Sequence, residues 1–269
     1  MTALWRFIDT GPCSAAFNMA LDEAIAVSVR KELAPPTLRL YGWEIPSVSI
    51  GCFQKISDVD IGYCTEKNIP IVRRPTGGRA ILHGSEITYS FSVKTTSGLF
   101  STGLLDSYKK ISKALGLSLT KIGISQELKL LSEAQHSPSS DHLLRSPLCF
   151  QSISCGEISI NNKKVIGSAQ KRWTDGLLQQ GSIPFSIDKD TMTKVFRLDS
   201  DHETKESFAG LKEISPKLNI DIMKDSIRIS FEETFDTQFI LSTPSEEDIS
   251  CAHELETLKY QSHEWNFKR

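Results

Sequence analysis

Hydrophobic and polar residues along the chain follow two periods, a period of two that is typical of strands and a longer one that is typical of helices. The predicted strands cover residues 4–8, 38–41, 47–51, 69–72, 86–94 and 176–185, with two more on either side of Asn161-Asn162 that form a hairpin. Strands 38–41 and 47–51 are predicted to pair around the turn 42–46. This mixture predicts an α+β fold with an antiparallel or mixed sheet flanked by helices.

The predicted helices are 14–33, about 58–67, 104–115 and 222–235. Ser14 is a suitable N-cap for the first helix, and Pro35-Pro36 is expected to end it. Its apolar residues form one face, and Asp22 is predicted to point away from that face. Gly116 is predicted to stop the third helix. The polar segment 132–146 is predicted to be a mobile surface loop.

Length and composition limit the class of protein to which the chain can belong. A chain of 269 residues suits a single domain over 1–269, in which 199–269 form a mainly helical C-terminal segment packed on the rest. The net charge of −2 gives no sign of a nucleic-acid partner. No apolar stretch approaches the length of a membrane span, and the start lacks the features of a signal peptide. Six cysteines without CxxC spacing argue against a metal site and a disulfide framework, so we expect a cytoplasmic protein with free thiols.

The segment 73–83, RRPTGGRAILH, concentrates candidate chemistry between two predicted strands. Its paired glycines, Gly77 and Gly78, allow a tight turn and a close approach of the backbone to a ligand. Its charged and histidine positions are Arg73, Arg74, Arg79 and His83. Together they indicate a site for an acidic or acyl-activated group. The spacing is not that of a phosphate-binding P-loop. Taken singly, each feature has an ordinary alternative: the paired glycines as a hairpin turn, the arginine pair as exposed charges, and His83 as a core histidine.

Cys149 and Lys164 are further candidates. A cysteine is a nucleophile as the thiolate, which a nearby cation favours, and Lys164 lies on the hairpin that follows Cys149. The run Gly167-Ser168-Ala169 has small side chains, which permit a ligand to approach the strand. Each candidate also has an ordinary interpretation, a small buried apolar residue for Cys149 and a solvated surface residue for Lys164.

Several motifs in order resemble the lipoate/biotin protein ligase catalytic-domain superfamily. They are WRFIDTGPCSAAFNMALDEA, LRLYGWEIPSVSIGCFQ, RRPTGGRAILH, KKVIGSAQKR, LLQQGSI and EWNFKR, which together extend over about residues 5–269. The resemblance implies the α+β fold of that superfamily and one of two chemistries. A cysteine-dependent octanoyltransferase takes octanoate from acyl carrier protein as a thioester and passes it to a lipoyl-domain lysine without a cofactor. A lipoate-protein ligase uses ATP and Mg²⁺ to form an acyl-adenylate first.

The transferase branch is the more similar one, because of WRFIDTG, RRPTGGR and the Cys149-Phe150 pair, and because Arg79 replaces a glycine that is frequent in ligases. The resemblance implies that Cys149 carries the acyl group and that Lys164 polarises its carbonyl or, in a ligase, holds the adenylate phosphate. The implied acyl pocket has a floor of Arg73, Arg74, Gly77, Gly78 and His83, with Thr76 and Arg79 in the same turn. Its opposite wall is Gly167, Ser168 and Ala169, and its cover is Tyr41 or Trp43.

The implied partners are acyl carrier protein as donor and, as acceptor, a lipoyl domain of the glycine-cleavage H protein or of a 2-oxoacid dehydrogenase E2 subunit. Two positions depart from the pattern of the superfamily. Gly84 follows His83 where Asp is common, and Gln180 precedes Gly181 where His is common. Cys155 is an additional thiol close to Cys149. These departures motivate a third hypothesis, an acyl-binding module that has kept the fold and lost catalysis.

Overall fold

A computed structural model describes residues 3–100, 104–125, 127–129, 157–198 and 208–268. Cys149, Cys155 and the predicted loop 132–146 lie outside the described residues. The strands are β1 (Ala3–Cys13), β2 (Thr37–Trp43), β3 (Ser47–Ile50), β4 (Ile71–Arg73), β5 (Ile81–His83), β6 (Glu86–Lys94), β7 (Glu127–Lys129), β8 (Glu157–Ile160), β9 (Lys163–Arg172), β10 (Gly176–Pro184) and β11 (Thr237–Ser242). The helices are α1 (Ala15–Arg30), α2 (Ile61–Glu66), α3 (Leu104–Lys121), α4 (Lys189–Val195), α5 (Leu211–Ile214), α6 (Ile220–Phe235), α7 (Glu246–Leu255) and α8 (His263–Asn266).

Two sheets organise the described ranges. The larger has the strand order β11-β1-β2-β6-β10-β9-β8-β7, and the smaller has the order β4-β3-β5. In the larger sheet β1 pairs in parallel with both β11 and β2, whereas the other neighbours are antiparallel. The predicted α+β class with a mixed sheet is therefore confirmed.

Helices cover both faces of the larger sheet, and its central strands β6 and β10 are buried on both sides although one face of β6 carries polar side chains. One buried cluster joins Phe91 of β6 to α3 and to Phe231 of α6. A second cluster joins α1 to Tyr41 of β2 and to Ala252 of α7. Burial of each large apolar side chain contributes about 1.5–3 kcal/mol relative to exposure. None of the helices in the described ranges is both long enough and apolar enough to cross a bilayer.

The ends of two helices differ from the predicted ones. The Ser14 hydroxyl accepts a hydrogen bond from the Phe17 N–H at 3.2 Å, which confirms the N-cap. However, α1 ends at Arg30, because Glu32 adopts a left-handed φ of 60° and the Leu33 N–H returns to the Ser28 carbonyl. Gly116 lies inside α3, and the glycine that takes the left-handed conformation after this helix is Gly123, at φ 81°.

The strand predictions are confirmed for most segments, but one predicted pairing is wrong and some short strands were not predicted. The hairpin at Asn161-Asn162 is present, and both asparagines have positive φ as a tight hairpin turn requires. Strands β2 and β3 do not pair with each other, because β2 lies between β1 and β6 while β3 is central in the smaller sheet. Strands β5, β7 and β11 were not predicted, since each is short or exposed and lacks a long alternating pattern.

A buried carboxylate ties the C-terminal helices to the sheet. Asp248 on α7 accepts hydrogen bonds from Arg6 of β1 at 2.9 Å and from Ser28 of α1 at 2.6 Å. It also accepts from the Ser245 N–H at the helix N-terminus. Burial is the largest influence and raises the pKa of Asp248, but these hydrogen bonds and Arg6 hold it below its ordinary value of 3.8. The carboxylate is therefore the stable form in the folded chain.

Asp248→Asn is expected to lower the free energy of unfolding at neutral pH by about 1–3 kcal/mol, because buried donors lose a charged acceptor. Since the folded-state pKa is lowered, this stabilisation is present above about pH 4 and disappears as the pH falls through the folded-state pKa. Urea unfolding of both proteins between pH 7 and pH 3 measures the difference. If the difference in free energy of unfolding between the wild type and Asp248→Asn stayed the same from pH 7 to pH 3, the stabilising role of the Asp248 carboxylate would be contradicted.

Candidate active site

The glycine-containing turn of segment 73–83 is held by its own buried arginines. Arg74 donates to the carbonyls of Ser49, Gly77 and Arg79. Arg73 donates to the carbonyls of Gly51 and Gln54 and to those of Trp265 and Asn266 around α8. Arg73 thus ties β4 to the segment after β3 and to the C-terminal helix, and Arg74 closes the turn itself.

Two glycines are required by this packing. Gly78 has a φ of 83°, in the left-handed region that favours glycine. A Cβ on Gly51 would lie 1.9 Å from the Gly78 carbonyl oxygen, so the two backbones are in direct contact. Gly77 has no such neighbour, since a Cβ there would meet no atom within 4 Å. Gly51, at the end of β3, is therefore as necessary to the turn as Gly78.

Two cavities meet at His83. The narrow cavity, of about 20 Å³, is lined by seven of the predicted residues, Tyr41, Trp43, Arg74, His83, Gly167, Ser168 and Ala169. The wide cavity, of about 570 Å³, lies between the β5–β6 turn, α2 and α4, and His83 and Ser182 line both cavities. The predicted residues Arg73, Thr76, Gly77, Gly78, Arg79 and Lys164 are not among the described residues that line either one.

A buried Asp22 carboxylate organises the wall of the narrow cavity. It accepts four hydrogen bonds, from Arg39 at 2.8 Å, Ser90 at 2.6 Å, Tyr41 at 2.7 Å and Gln180 at 2.7 Å. The prediction that Asp22 points away from the buried face of α1 is wrong, because these partners on β2, β6 and β10 satisfy its charge inside the protein. Burial and the Asp22 carboxylate raise the pKa of Tyr41 well above its ordinary value, so this hydroxyl remains a donor.

Gln180 connects this network to the glycine-containing turn. Its amide nitrogen donates to Asp22, and its carbonyl oxygen accepts a hydrogen bond from the buried Thr76 hydroxyl at 2.8 Å. Both ends of the amide are therefore used. Gln180, which stands where the superfamily commonly has His, is therefore fully hydrogen-bonded, because its side chain bridges the Asp22 carboxylate of α1 and the turn.

A second network surrounds His83. The ring contacts Glu86 through Nδ1 at 2.9 Å and Ser49 through Nε2 at 2.7 Å, and it stacks on Trp43 with centroids 3.9 Å apart. Thr88 accepts from the Trp43 indole and donates to Glu86. Burial is the largest influence and raises the pKa of Glu86, yet His83 and Thr88 hold it below its ordinary value of 4.5. Glu86 is consequently a carboxylate at neutral pH.

Lys164 is a buried cation with a buried partner. Its side chain is 4% exposed, that of Glu157 is 3% exposed, and the two are 2.5 Å apart across the β8–β9 hairpin. The surface interpretation of Lys164 is therefore wrong. An ammonium in such a low-dielectric environment interacts strongly with a nearby developing charge.

Sequence reasoning missed Ser49, Glu86, Thr88, Glu157 and Asp22 as members of these networks. The alternation within β6 places Glu86, Thr88 and Ser90 on one face, and that pattern is a signal that they share an environment. Across the described ranges, no group of three or more His, Cys, Asp or Glu side chains is arranged to hold a metal ion.

Comparison with known proteins identifies the family. The family model for the lipoyl protein ligase A/B catalytic domain matches residues 14–232. The chain is 36% identical to octanoyltransferase LipM of Carboxydothermus hydrogenoformans, over 98% of each chain. It is 34% identical to octanoyltransferase LipM of Bacillus subtilis, also over 98% of each chain. Among solved structures, lipoate-protein ligase A bound with ATP superposes with a TM-score of 0.82 at 24% identity, over 99% of each chain.

The family match and the fold thus define a class of enzymes that attach acyl groups to proteins, either acyltransferases or ligases. The chain is a member of the lipoyl protein ligase A/B catalytic-domain family. A putative lipoate protein ligase from Thermoplasma acidophilum with bound lipoic acid has the same fold, with a TM-score of 0.80 at 23% identity. The resemblance inferred from the motifs is confirmed.

Asp22→Asn is expected to lower the free energy of unfolding by about 3–5 kcal/mol, because it leaves the buried Arg39 guanidinium without its charged partner. Urea unfolding measures this loss. The matched control is Asp225→Asn, whose carboxylate is 72% exposed and 3.8 Å from Arg228. The control should change stability by no more than about 0.5 kcal/mol. Equal effects of the two substitutions would show that the Asp22 network does not stabilise the fold.

Proposed function

We propose that the chain transfers an octanoyl group to a lipoyl-domain lysine in lipoate cofactor biosynthesis, through a thioester on Cys149 and with octanoyl-acyl carrier protein as donor. The similarity to octanoyltransferases such as that of Carboxydothermus hydrogenoformans, over 98% of each chain, carries this proposal. The Cys149-Phe150 pair ahead of the Lys164 hairpin supports the choice of nucleophile. In this proposal residues 1–269 act as one cytoplasmic catalytic domain, with 199–269 packed on the rest, and need no cofactor or metal.

The proposed chemistry has two half-reactions. In the first, the Cys149 thiol gives up its proton and the thiolate attacks the acyl carbon of the donor thioester. A new C–S bond to Cys149 forms, the C–S bond to the donor breaks, and the donor thiolate takes up the proton that Cys149 released. In the second, the acceptor lysine amine attacks the same carbon, an amide forms, and the Cys149 thiol is released. Each half-reaction passes through a tetrahedral oxyanion, which the Lys164 ammonium would stabilise while Glu157 fixes its position.

The narrow cavity is the proposed site of the acyl chain. Gly167, Ser168 and Ala169 form one wall, and Arg74, His83 and Trp43 form the opposite side. The other predicted residues of the turn would contribute by fixing its shape; they are Arg73, Thr76, Gly77, Gly78 and Arg79. A volume of about 20 Å³ holds roughly one water molecule, so an eight-carbon chain requires a side chain to move. Met19, which is unbranched and flexible, lines this cavity and is the suitable candidate.

The proposed acceptor is a lipoyl domain of the glycine-cleavage H protein or of a 2-oxoacid dehydrogenase E2 subunit. An archaeal bipartite lipoate protein ligase with the same fold has been described together with its E2 lipoyl domain. The second candidate function, an ATP-dependent lipoate-protein ligase, is favoured by the fold shared with lipoate-protein ligase A bound with ATP. It would need ATP and Mg²⁺ and would leave Cys149 without a role.

Incubation with octanoyl-acyl carrier protein in the absence of ATP is expected to add one octanoyl group to the protein, and Cys149→Ala is expected to abolish the addition. Intact-mass spectrometry measures the adduct, and a lipoyl-domain acceptor then reports transfer. Cys155→Ala is the matched control, because it removes a nearby thiol and should acylate as the wild type does.

Three results would contradict the proposed thioester. An adduct that persists in Cys149→Ala would place the acyl group elsewhere. Transfer by Cys149→Ala that depends on ATP and Mg²⁺ would support the ligase. Binding of octanoate without transfer under either condition would support the non-catalytic module.

Lys164→Gln is expected to reduce the rate of acylation by about 10²–10³-fold, because the amide keeps a donor for Glu157 but removes the charge opposite the oxyanion. The rate of adduct formation under single-turnover conditions measures this effect. Lys163→Gln is the matched control on the same strand and should change the rate little, since its side chain is partly exposed. Thermal unfolding of both variants separates a loss of chemistry from a loss of the fold.

A further inference from the structure

The hydrogen bonds around His83 run in one direction. An indole N–H and a guanidinium can only donate. Thr88 therefore accepts from Trp43 and passes its own proton toward Glu86, and Ser49 accepts from Arg74 at 3.1 Å. In the tautomer that carries its proton on Nδ1, His83 donates to the Glu86 carboxylate and its Nε2 can accept the Ser49 hydroxyl proton. The geometry thus places one ring nitrogen against a serine and the other against a carboxylate.

Ser49, His83 and Glu86 thus have the connectivity of a nucleophile–base–carboxylate triad, with Oγ–Nε2 and Nδ1–Oε1 distances of 2.7 Å and 2.9 Å. The three side chains are buried. Ser49 lines the narrow cavity, Glu86 lines the wide cavity, and His83 lines both. A base that opens onto two cavities can accept a proton from a group that enters through either one.

We propose that Ser49, His83 and Glu86 form a proton relay for acyl transfer to the acceptor amine. As the amine attacks the thioester carbon, the C–N bond forms and the C–S bond breaks. The proton lost by nitrogen passes to Ser49 Oγ while the serine proton moves to His83 Nε2, and the imidazolium faces Glu86. The proton then returns through Ser49 to the departing thiolate, so that every group is restored.

The surroundings suit this role. Arg74 beside Ser49 Oγ stabilises the negative charge that this oxygen gains during the double transfer, and the Trp43 ring keeps the imidazole in one plane. The relay rests on the proposed function and adds residues to its second half-reaction.

Single-turnover transfer from octanoyl-loaded enzyme to a lipoyl domain tests the relay. His83→Ala, loaded with octanoate to the same measured level as the wild type, is expected to transfer about 100-fold more slowly. Imidazole in solution is expected to restore transfer in proportion to its concentration, since the wide cavity adjoins the vacated ring position. Ser49→Ala is expected to slow transfer by a similar factor, and imidazole should not restore its rate. Glu86→Gln is expected to slow transfer about tenfold or more.

Two matched controls separate the relay from general damage. His253→Ala removes a histidine that is 64% exposed, and Ser47→Ala removes a buried serine of the same strand that bonds only locally to the Ile45 carbonyl. Both should transfer as the wild type does. Wild-type rates in Ser49→Ala, or His83→Ala that is folded but not rescued by imidazole, would overturn the relay alone. A wild type that neither acylates nor transfers would instead overturn the proposed function.

Discussion

The Asp22 carboxylate is the charge around which the site is assembled. Four hydrogen bonds from three strands hold it in the interior, and without them a buried charge of this kind would cost several kcal/mol. Because Asp22 lies on α1, these bonds fix the helix against the larger sheet. Because one donor is Gln180, they also fix the turn that carries Thr76. The position of the narrow cavity follows from this arrangement.

The two polar networks divide the site between them. The Asp22 network is complete within the protein and serves to position strands and the turn. The His83 network ends at the Ser49 hydroxyl, which lines the narrow cavity. The buried Lys164–Glu157 pair is a third charged element, located on the β8–β9 hairpin of the larger sheet. The His83 network joins β3 and β5 of the smaller sheet to β6 of the larger one, whereas the Asp22 network joins α1 to the larger sheet.

Much of the fold was predictable because local signals decide it, such as the Ser14 cap, the Asn161-Asn162 turn and the alternation in β6. Of the predicted site residues, Arg74 and His83 of segment 73–83 line the narrow cavity together with Gly167, Ser168 and Ala169 of β9 and Tyr41 and Trp43 of β2. Contacts between distant segments were not predictable from periodicity. Asp22 has the pattern of an exposed residue, and only partners on β2, β6 and β10 make its burial favourable. Gly116 and Gly123 are both reasonable helix stops, and packing of the third helix against the sixth selects the later one.

The pairing of β1 with β11 has a consequence for how the chain reaches its native state. Ala3 lies opposite Thr237, so β1 shares a parallel ladder with a strand that is synthesised much later. Until β11 has been made, the outer edge of β1 has no partner among the described strands. A nascent chain would carry this open strand edge throughout that interval, and such edges are templates for unwanted pairing. We expect chaperones that shield strand edges to matter more for the biogenesis of this protein than for that of one with sequentially adjacent strands.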